Sequence, residues 1–557
     1  MNDWIERNTH LFGLLLAVCF LAFFYLLDRV GFSSETFSPI FRFLIQVYDT
    51  NAAWVSFLVC ALAAAWRKPQ PVMRVIDAIA ARPWVVAVVA VALLAVAALR
   101  IYHAHPLCMD EYAPVFQAKL FAAGRLWAQL PAGVLDWFVI PGFNGSFLIG
   151  SPVSGRVIEG YWPGFAAILA PFTFIGAPWL CNPVISGAAL LLMYRIAARI
   201  GADRRAGAWA VLLALGSSAF VADGISFYSM QAHLTLNLLF VWLLLEPSHP
   251  RALAAGFVGS VALVLHNPVP HALFAAPWVL ALLLDRGQRR YLPALILGYA
   301  PIAAGVGIGW LMLRLSLQSG AAGADAMVNG VFGMPTVSIL NMRTAALAKI
   351  WVWAVPCLLL FAYLGARRFW QQRPVRLLAG SALLTFGAYL FVSMDQGHGW
   401  GYRYFHSAWG VLPILGGCAM LRTGEADDRL RAFAGAAALL SLLLLVPLQL
   451  SQMNSFITRY LDQLPEPRRP GNNVYFVDIY DGFYSSDLVQ FDPLLRDADL
   501  RLLRRGAALD TAFMRKNWPQ ARRVSSGPWG EQWQLGPVDL REPDPGAGAP
   551  VLKVQAP

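Results

Sequence analysis

Two adjacent carboxylates, Asp110 and Glu111, stand between an apolar run that is long enough to cross a bilayer and a long loop that is not. A carboxylate that is ionised near neutral pH can accept a proton from an attacking hydroxyl group. A second interpretation stays open, because acidic pairs beside membrane helices are often plain solvated flanks. The next segment, 113–124, favours a chemical role, since its apolar residues predict a short amphipathic helix that would hold the carboxylates at a membrane interface.

Basic side chains on the same predicted side could bind a phosphate group. Arg403 is the stronger candidate, because a guanidinium can bind phosphate oxygens through two parallel hydrogen bonds. Lys119, in the amphipathic segment, is the second. Further polar and aromatic residues on that side could contact a phosphate, a sugar ring or an isoprenoid: Tyr161, Gln231, His233, His398 and Tyr404. Each also has a structural interpretation as a helix cap or as part of an interfacial aromatic belt.

The composition excludes an ordinary soluble protein. The chain has 557 residues, of which 58% are hydrophobic and 13% are charged, and its mean hydropathy is +0.54. Its net charge of +11 comes from short basic clusters between apolar runs, where Lys and Arg orient helices in a membrane. We therefore expect a multi-pass membrane protein that does not bind nucleic acid. Its six cysteines are scattered and predict neither a disulfide framework nor a metal site.

Apolar runs predict about thirteen transmembrane helices, since a span needs roughly 20 apolar residues. The predicted spans lie near Leu11 to Leu27, Ala52 to Trp66, Trp84 to Ile101, Val184 to Ala198, Gly207 to Ala222, Leu234 to Leu245, Leu253 to Leu265, Val269 to Leu284, Tyr291 to Leu315, Ala346 to Gly365, Leu377 to Val392, Ala408 to Leu421 and Ala432 to Leu448.

The arginine-rich links set the predicted orientation. The link 67–83 carries four basic residues and one acidic residue, which places it in the cytoplasm by the positive-inside rule. The N-terminus is then cytoplasmic, and 102–182 forms the first extracytoplasmic loop. Within this loop, Pro163 to Trp179 is apolar but rich in Pro and Gly, and we interpret it as an interfacial or re-entrant segment.

The C-terminal segment, 451–557, differs from the rest of the chain. It has charges of both signs and strand-like runs at Val474 to Ile479 and Gln532 to Leu535. Between them, Asp499 to Arg504 and Thr511 to Lys516 are typical of a strand and a helix. We expect a transmembrane domain over 1–450 and a small extracytoplasmic α/β domain over 451–557.

Several of these motifs together resemble the GT-C class of integral-membrane glycosyltransferases. They are the Asp-Glu pair with its juxtamembrane helix, Tyr-Trp-Pro-Gly at 161–164, GAPWLCNP at 176–183 and, more loosely, GYRYF at 401–405. The chain is most similar to the protein O-mannosyltransferase and aminoarabinose (lipid A) transferase type. It departs from the pattern at 231–233, where QAH stands in a loop that often holds another acidic residue.

The resemblance implies an all-α polytopic fold and an inverting transferase that uses a polyprenyl-phosphate sugar, with Asp110 as general base. The acceptor would be a glycan, lipid or protein at the periplasmic face of a bacterial inner membrane. No certain cofactor follows, and the QAH departure leaves a divalent metal open. Two alternatives remain: a transporter or flippase of lipid-linked sugars, and a non-catalytic membrane assembly protein.

Overall fold

A computed structural model describes residues 8–30, 38–318, 333–393, 397–421, 425–465 and 472–535. The last part of the predicted C-terminal domain, 536–557, lies outside the described residues. The chain divides into two compact units. Unit 1 comprises Met1–His103, Trp179–Gly307 and Ala324–Asn454, and unit 2 comprises Ala104–Pro178, Ile308–Gly323 and Ser455–Pro557.

Helices dominate the described chain. They are α1 (Thr9–Val30), α2 (Pro39–Phe43), α3 (Thr50–Ala65), α4 (Gln70–Ala81), α5 (Pro83–Arg100), α6 (Met109–Ala122), α7 (Leu135–Phe138), α8 (Gly164–Phe174), α9 (Cys181–Gly201), α10 (Arg204–Leu215), α11 (Ser218–Ile225), α12 (Met230–Leu244), α13 (His249–Leu263), α14 (Val269–Leu284), α15 (Leu292–Ile302), α16 (Gly309–Leu317), α17 (Val337–Val352), α18 (Leu358–Arg368), α19 (Arg373–Ala388), α20 (Arg403–Trp409), α21 (Val411–Ala419), α22 (Glu425–Leu440), α23 (Val446–Leu461) and α24 (Ala507–Asn517). Helical turns of the π type lie at Leu44–Asp49, Ala303–Ile308 and Ser441–Leu445.

The strands are short and form three sheets. They are β1 (Ala128–Gln129), β2 (Leu148–Gly150), β3 (Arg156–Glu159), β4 (His398–Gly399), β5 (Gly401–Tyr402), β6 (Asn473–Val477), β7 (Asp499–Leu503), β8 (Arg522–Gly527) and β9 (Gly530–Gln534). The sheet orders are β1-β3-β2, β4-β5 and β7-β6-β9-β8. In the last sheet β6 is parallel to β7 and antiparallel to β9. The strands and the helix predicted after residue 470 are present, and β8 is an addition.

Seven helical stretches in the described chain are long and apolar enough to cross a membrane. They are Thr9–Leu27, Pro39–Ala65, Pro83–Arg100, Pro178–Gly201, Arg289–Leu317, Arg373–Phe391 and Asp427–Leu461. Helices α10 and α11, bent by 69° at their junction, would make an eighth span if counted together. The predicted class, a multi-pass helical membrane protein, is therefore confirmed, while the number thirteen stays a prediction.

Three predicted spans have different bounds in the structure. The second begins at Pro39 and so includes Asp49, which apolar-run counting had excluded. The span predicted from Ala346 to Gly365 is divided into α17 and α18. Pro356 has no N–H to bond the Val352 carbonyl, which instead accepts a hydrogen bond from Nε2 of Gln449 at 3.4 Å. The span from Ala408 to Leu421 breaks at Gly410 in the same way, because Pro413 follows.

Helix α6 also differs from its prediction. It begins at Met109, so the two carboxylates form part of its first turn and do not precede it. Nearly every residue from Met109 to Leu120 is buried, which is inconsistent with a one-sided amphipathic helix. Its apolar residues, including Tyr112 and Phe116, share one core with the C-terminal sheet and helix α24. Unit 2 thus joins the first predicted loop to the C-terminal segment.

Candidate active site

The N-terminus of α6 is fixed by two carboxylates that accept hydrogen bonds from its backbone. Oε2 of Glu111 accepts from the backbone N–H of Leu107 at 2.5 Å, which resembles the contact made by the glutamate of a capping box. Oδ1 of Asp487 accepts from the backbone N–H of Met109 at 3.1 Å. The Met109 N–H, at the first position of α6, is one of the groups that a helix leaves unpaired. Glu111, which is fully buried, therefore has a structural task in this turn.

Asp110 is held by a tyrosine from the neighbouring sheet. The Tyr161 hydroxyl donates a hydrogen bond to Oδ1 of Asp110. Tyr161 follows strand β3, and its backbone carbonyl accepts a hydrogen bond from Nε1 of Trp310 at 2.7 Å. The tyrosine is thus anchored at both its backbone and its ring. This arrangement fixes the orientation of the Asp110 carboxylate, as a general base requires.

A third carboxyl group, Glu159, lies at the end of β3. It is fully buried, and neither of its carboxyl oxygens has a hydrogen-bond partner in the part of the chain that the structure describes. Burial raises the pKa of Glu159 well above its usual value, although the positive charge of Arg314 opposes the shift. Burial therefore favours the protonated form of Glu159 more than in a solvent-exposed glutamate.

Lys119, near the other end of α6, is paired with carboxylates. Its Nζ lies 2.8 Å from Oδ2 of Asp492. Asp497 is close by, because one of its carboxylate oxygens accepts a hydrogen bond from the backbone N–H of Asp492 at 2.5 Å. The charge of Lys119 is thus already compensated within unit 2. Its role as a phosphate ligand stays a prediction.

In unit 1 a buried hydrogen-bonded chain connects four side chains. Oδ2 of Asp223 lies 2.8 Å from Nδ1 of His406, and Nε2 of His406 lies 2.9 Å from Oε1 of Gln231. Nε2 of Gln231 in turn donates to Oγ of Ser186 at 2.8 Å. Gln231 is thus part of a buried polar network that the sequence did not reveal. Asp223 provides the acidic group of this network, eight positions before Gln231.

Arg403 begins helix α20 directly after the β4-β5 hairpin. Gly401, the first residue of β5, has a φ of +80°, a backbone conformation that glycine adopts most readily. The Arg403 guanidinium lies over the Tyr228 ring, 4.4 Å from its centroid. Arg403 is buried. A weakly hydrated guanidinium on an aromatic face suits an anionic ligand.

Of the remaining predicted residues of unit 1, His233 and His398 are buried and Tyr404 is partly buried. Tyr404 stacks on Tyr389 with 4.6 Å between the ring centroids. Burial, followed by the positive charges of Lys349 and Arg343, lowers the pKa of His398 well below its usual value. A neutral imidazole cannot contribute charge to phosphate binding. Among the described residues, neither ring nitrogen of His233 has a hydrogen-bond partner.

The structure divides the predicted site residues between the two units. Asp110, Glu111, Lys119 and Tyr161 belong to unit 2, whereas Gln231, His233, His398, Arg403 and Tyr404 belong to unit 1. In the described ranges, no group of three or more His, Cys, Asp or Glu side chains could hold a metal ion. Sequence reasoning missed Asp487, and no local pattern around it indicates its contact with α6.

Comparison with known proteins identifies the fold. No protein-family model matches the sequence, and no curated protein matches it. Two crystal structures of ArnT from Cupriavidus metallidurans are similar to this chain. The one bound to undecaprenyl phosphate has a TM-score of 0.51 at 13% identity, and the apo structure has 0.50 at 14%. Each comparison covers 82% of this chain and 100% of the ArnT chain. The chain therefore shares the fold of these two ArnT structures, as the resemblance to the aminoarabinose transferase type predicted.

Proposed function

We propose that this protein is an inverting glycosyltransferase of the bacterial inner membrane. It moves a monosaccharide from a polyprenyl-phosphate carrier to a hydroxyl group of a glycan, lipid or protein at the periplasmic face. The observation that carries the proposal is Asp110, whose carboxylate is oriented by Tyr161 at the first turn of α6. The fold supports it, since an ArnT structure with that fold is described as bound to undecaprenyl phosphate.

The reaction that we propose is a single displacement at the anomeric carbon of the sugar. The acceptor oxygen attacks the anomeric carbon as the bond from that carbon to the phosphate oxygen breaks, and the polyprenyl phosphate leaves with the electron pair. Asp110 accepts the proton of the acceptor hydroxyl. One displacement inverts the anomeric configuration. General-base catalysis of this kind contributes about 10²- to 10⁴-fold to the rate.

Arg403 is our candidate for binding the phosphate of the carrier. Its planar guanidinium can bind two phosphate oxygens at once, and it lies over the Tyr228 ring. Lys119, Tyr404, Gln231, His233 and His398 remain weaker candidates for donor contacts. The residues that would accept a divalent metal are not defined by the described side chains.

The test is transfer by purified protein in liposomes that contain undecaprenyl-phosphate sugars and candidate acceptors such as lipid A. Asp110→Asn keeps the shape of the side chain but cannot accept the proton, so transfer should fall by about 10²-fold or more. Asp136→Asn is the matched control, because Asp136 is an exposed aspartate of the same unit, paired with Arg505. Wild-type transfer by folded Asp110→Asn would refute the proposal.

The alternative of a lipid-linked sugar transporter predicts a different result in the same liposomes. A flippase would move the sugar lipid between leaflets without an acceptor. Neither the wild type nor Asp110→Asn would then accumulate glycosylated acceptor. A non-catalytic assembly protein would do neither. Measuring transfer and leaflet exchange together therefore separates the three functions.

A further inference from the structure

The segment Asp487–Asp492 lies along helix α6 and contacts it at three successive levels. At the first, Asp487 accepts from the Met109 N–H at 3.1 Å. At the second, the Tyr112 hydroxyl donates to the Phe491 carbonyl at 2.6 Å and accepts from the Phe491 N–H at 2.9 Å. At the third, Asp492 pairs with Lys119. All of these residues belong to unit 2.

These contacts span most of the 14 residues of α6. One short segment, about 380 positions away in the sequence, thus bonds to three residues of the helix, to one through its backbone and to two through their side chains. The Tyr112 contact is specific, because one hydroxyl satisfies both backbone groups of Phe491. A segment bonded at three levels fixes both the position of the helix along its axis and its rotation.

We propose that Asp487–Asp492 is a positioning segment for the general base, and that Asp487 tunes the basicity of Asp110 from the same helix end. This inference rests on the proposed function, and it assigns a task to the C-terminal part of the chain. Asp487 itself does not contact substrate. It is a positioning residue that acts through Met109 and through its charge.

The charge effect follows from the groups around Asp487. Burial, opposed by the Met109 hydrogen bond and assisted by the negative charge of Asp110, raises the pKa of Asp487 to about 7. Tyr460 adjoins this cluster, together with Glu111, Cys108 and Arg501. Because Asp487 and Asp110 repel each other when both are ionised, ionisation of Asp487 makes Asp110 a stronger base.

The experiment compares two variants of Asp487 in the full-length protein. Asp487→Asn keeps an oxygen that can accept from Met109 but removes the charge, whereas Asp487→Ala removes both. The matched control is Asp481→Asn, because Asp481 is an exposed aspartate a few residues earlier in the same unit. Two measurements are made on each: amide hydrogen exchange over 107–116, and the pH dependence of sugar transfer.

Exchange over 107–116 should rise in Asp487→Ala and stay near the wild-type rate in Asp487→Asn and in the control. This measurement needs no substrate. Wild-type protection in Asp487→Ala would show that the Met109 contact does not hold the helix, and it would overturn the positioning role.

Transfer by the wild type should rise a few-fold as the pH increases through about 7. The rise should disappear in both Asp487 variants and persist in the control. Asp487→Ala should also lose roughly ten- to a hundredfold of its rate at every pH through misplacement of Asp110. A rise that persists in Asp487→Asn would overturn the charge effect.

Failure of this inference differs from failure of the proposed function. If the wild type transfers sugar and Asp110→Asn does not, but Asp487→Ala behaves as the wild type, only the positioning segment is refuted. If no transfer occurs in the wild type, hydrogen exchange still decides whether the segment holds the helix.

Discussion

Tyr161→Phe tests the orientation of Asp110 without changing any carboxylate. The substitution removes the hydroxyl that donates to Oδ1 of Asp110 and leaves the ring and the Trp310 contact to its backbone in place. A hydrogen bond to a charged group contributes about 1.5–3 kcal/mol. Because one pH unit corresponds to about 1.4 kcal/mol, its loss shifts the equilibrium toward the protonated acid by roughly one to two pH units.

The assay is the pH dependence of kcat/KM for sugar transfer. Since the hydrogen bond favours the ionised carboxylate, its removal should move the acidic limb of the profile to higher pH by that amount. The rate deficit should therefore be largest at acidic pH and smaller above the limb, where only misorientation remains. Tyr480→Phe is the control, because Tyr480 is a tyrosine of the same unit that is 89% exposed.

An unchanged acidic limb in Tyr161→Phe, with an unchanged rate, would refute the assignment of Asp110 as a base oriented by Tyr161. An equal loss of kcat/KM at every pH would refute only the prediction that the hydrogen bond favours the ionised carboxylate of Asp110. A stable fold of the variant, checked by thermal unfolding in detergent, keeps either result interpretable.

Three further predictions concern stability, measured by unfolding in detergent. Lys349→Met should destabilise the protein by about 3–5 kcal/mol, because it leaves Asp49, 2.7 Å away and fully buried, without its counter-charge. Adding Asp49→Asn should recover most of the loss, and strictly additive free-energy changes of the two substitutions would contradict the pairing. Tyr112→Phe should cost about 1–3 kcal/mol, since the N–H and carbonyl of Phe491 lose their partner; no loss would show that these groups find others. Glu159→Gln should stabilise the protein at alkaline pH. Because the pKa of Glu159 is raised in the folded state, the wild type loses stability as the pH rises, whereas the variant should lack this decline. Equal pH profiles of stability for the two proteins would contradict the burial argument.

The sequence predicted what is encoded locally. Apolar runs indicated the membrane helices, and the strands after residue 470 followed from short β-favouring runs. The break between α17 and α18 could also have been predicted, because Pro356 cannot donate a backbone hydrogen bond. The prediction failed there because hydropathy, when averaged over a window, does not register a single missing donor.

Pairings across long sequence separations could not be predicted. Lys349 and Asp49 are 300 positions apart, and each stands near the end of a predicted helix, where a charge normally needs no partner. The same holds for Asp487 and Met109, which are 378 positions apart. No spacing rule connects such residues, since only the tertiary fold brings them together. A charge in a sequence therefore does not show whether it is free to bind a ligand, as Lys119 illustrates.

The surroundings of the Asp-Glu pair depend on both the local helix geometry and the tertiary packing. Consecutive residues of a helix point about 100° apart, so once both acids lie in the first turn of α6 they must have different surroundings. The sequence could thus have predicted that the two acids have different neighbours. Which neighbours they have depends on packing: Glu111 turns back to the Leu107 N–H in the interior, while Asp110 meets the Tyr161 hydroxyl. In our proposal the contacts of unit 2 therefore select Asp110 as the base, because in an isolated helix both carboxylates would be exposed to solvent.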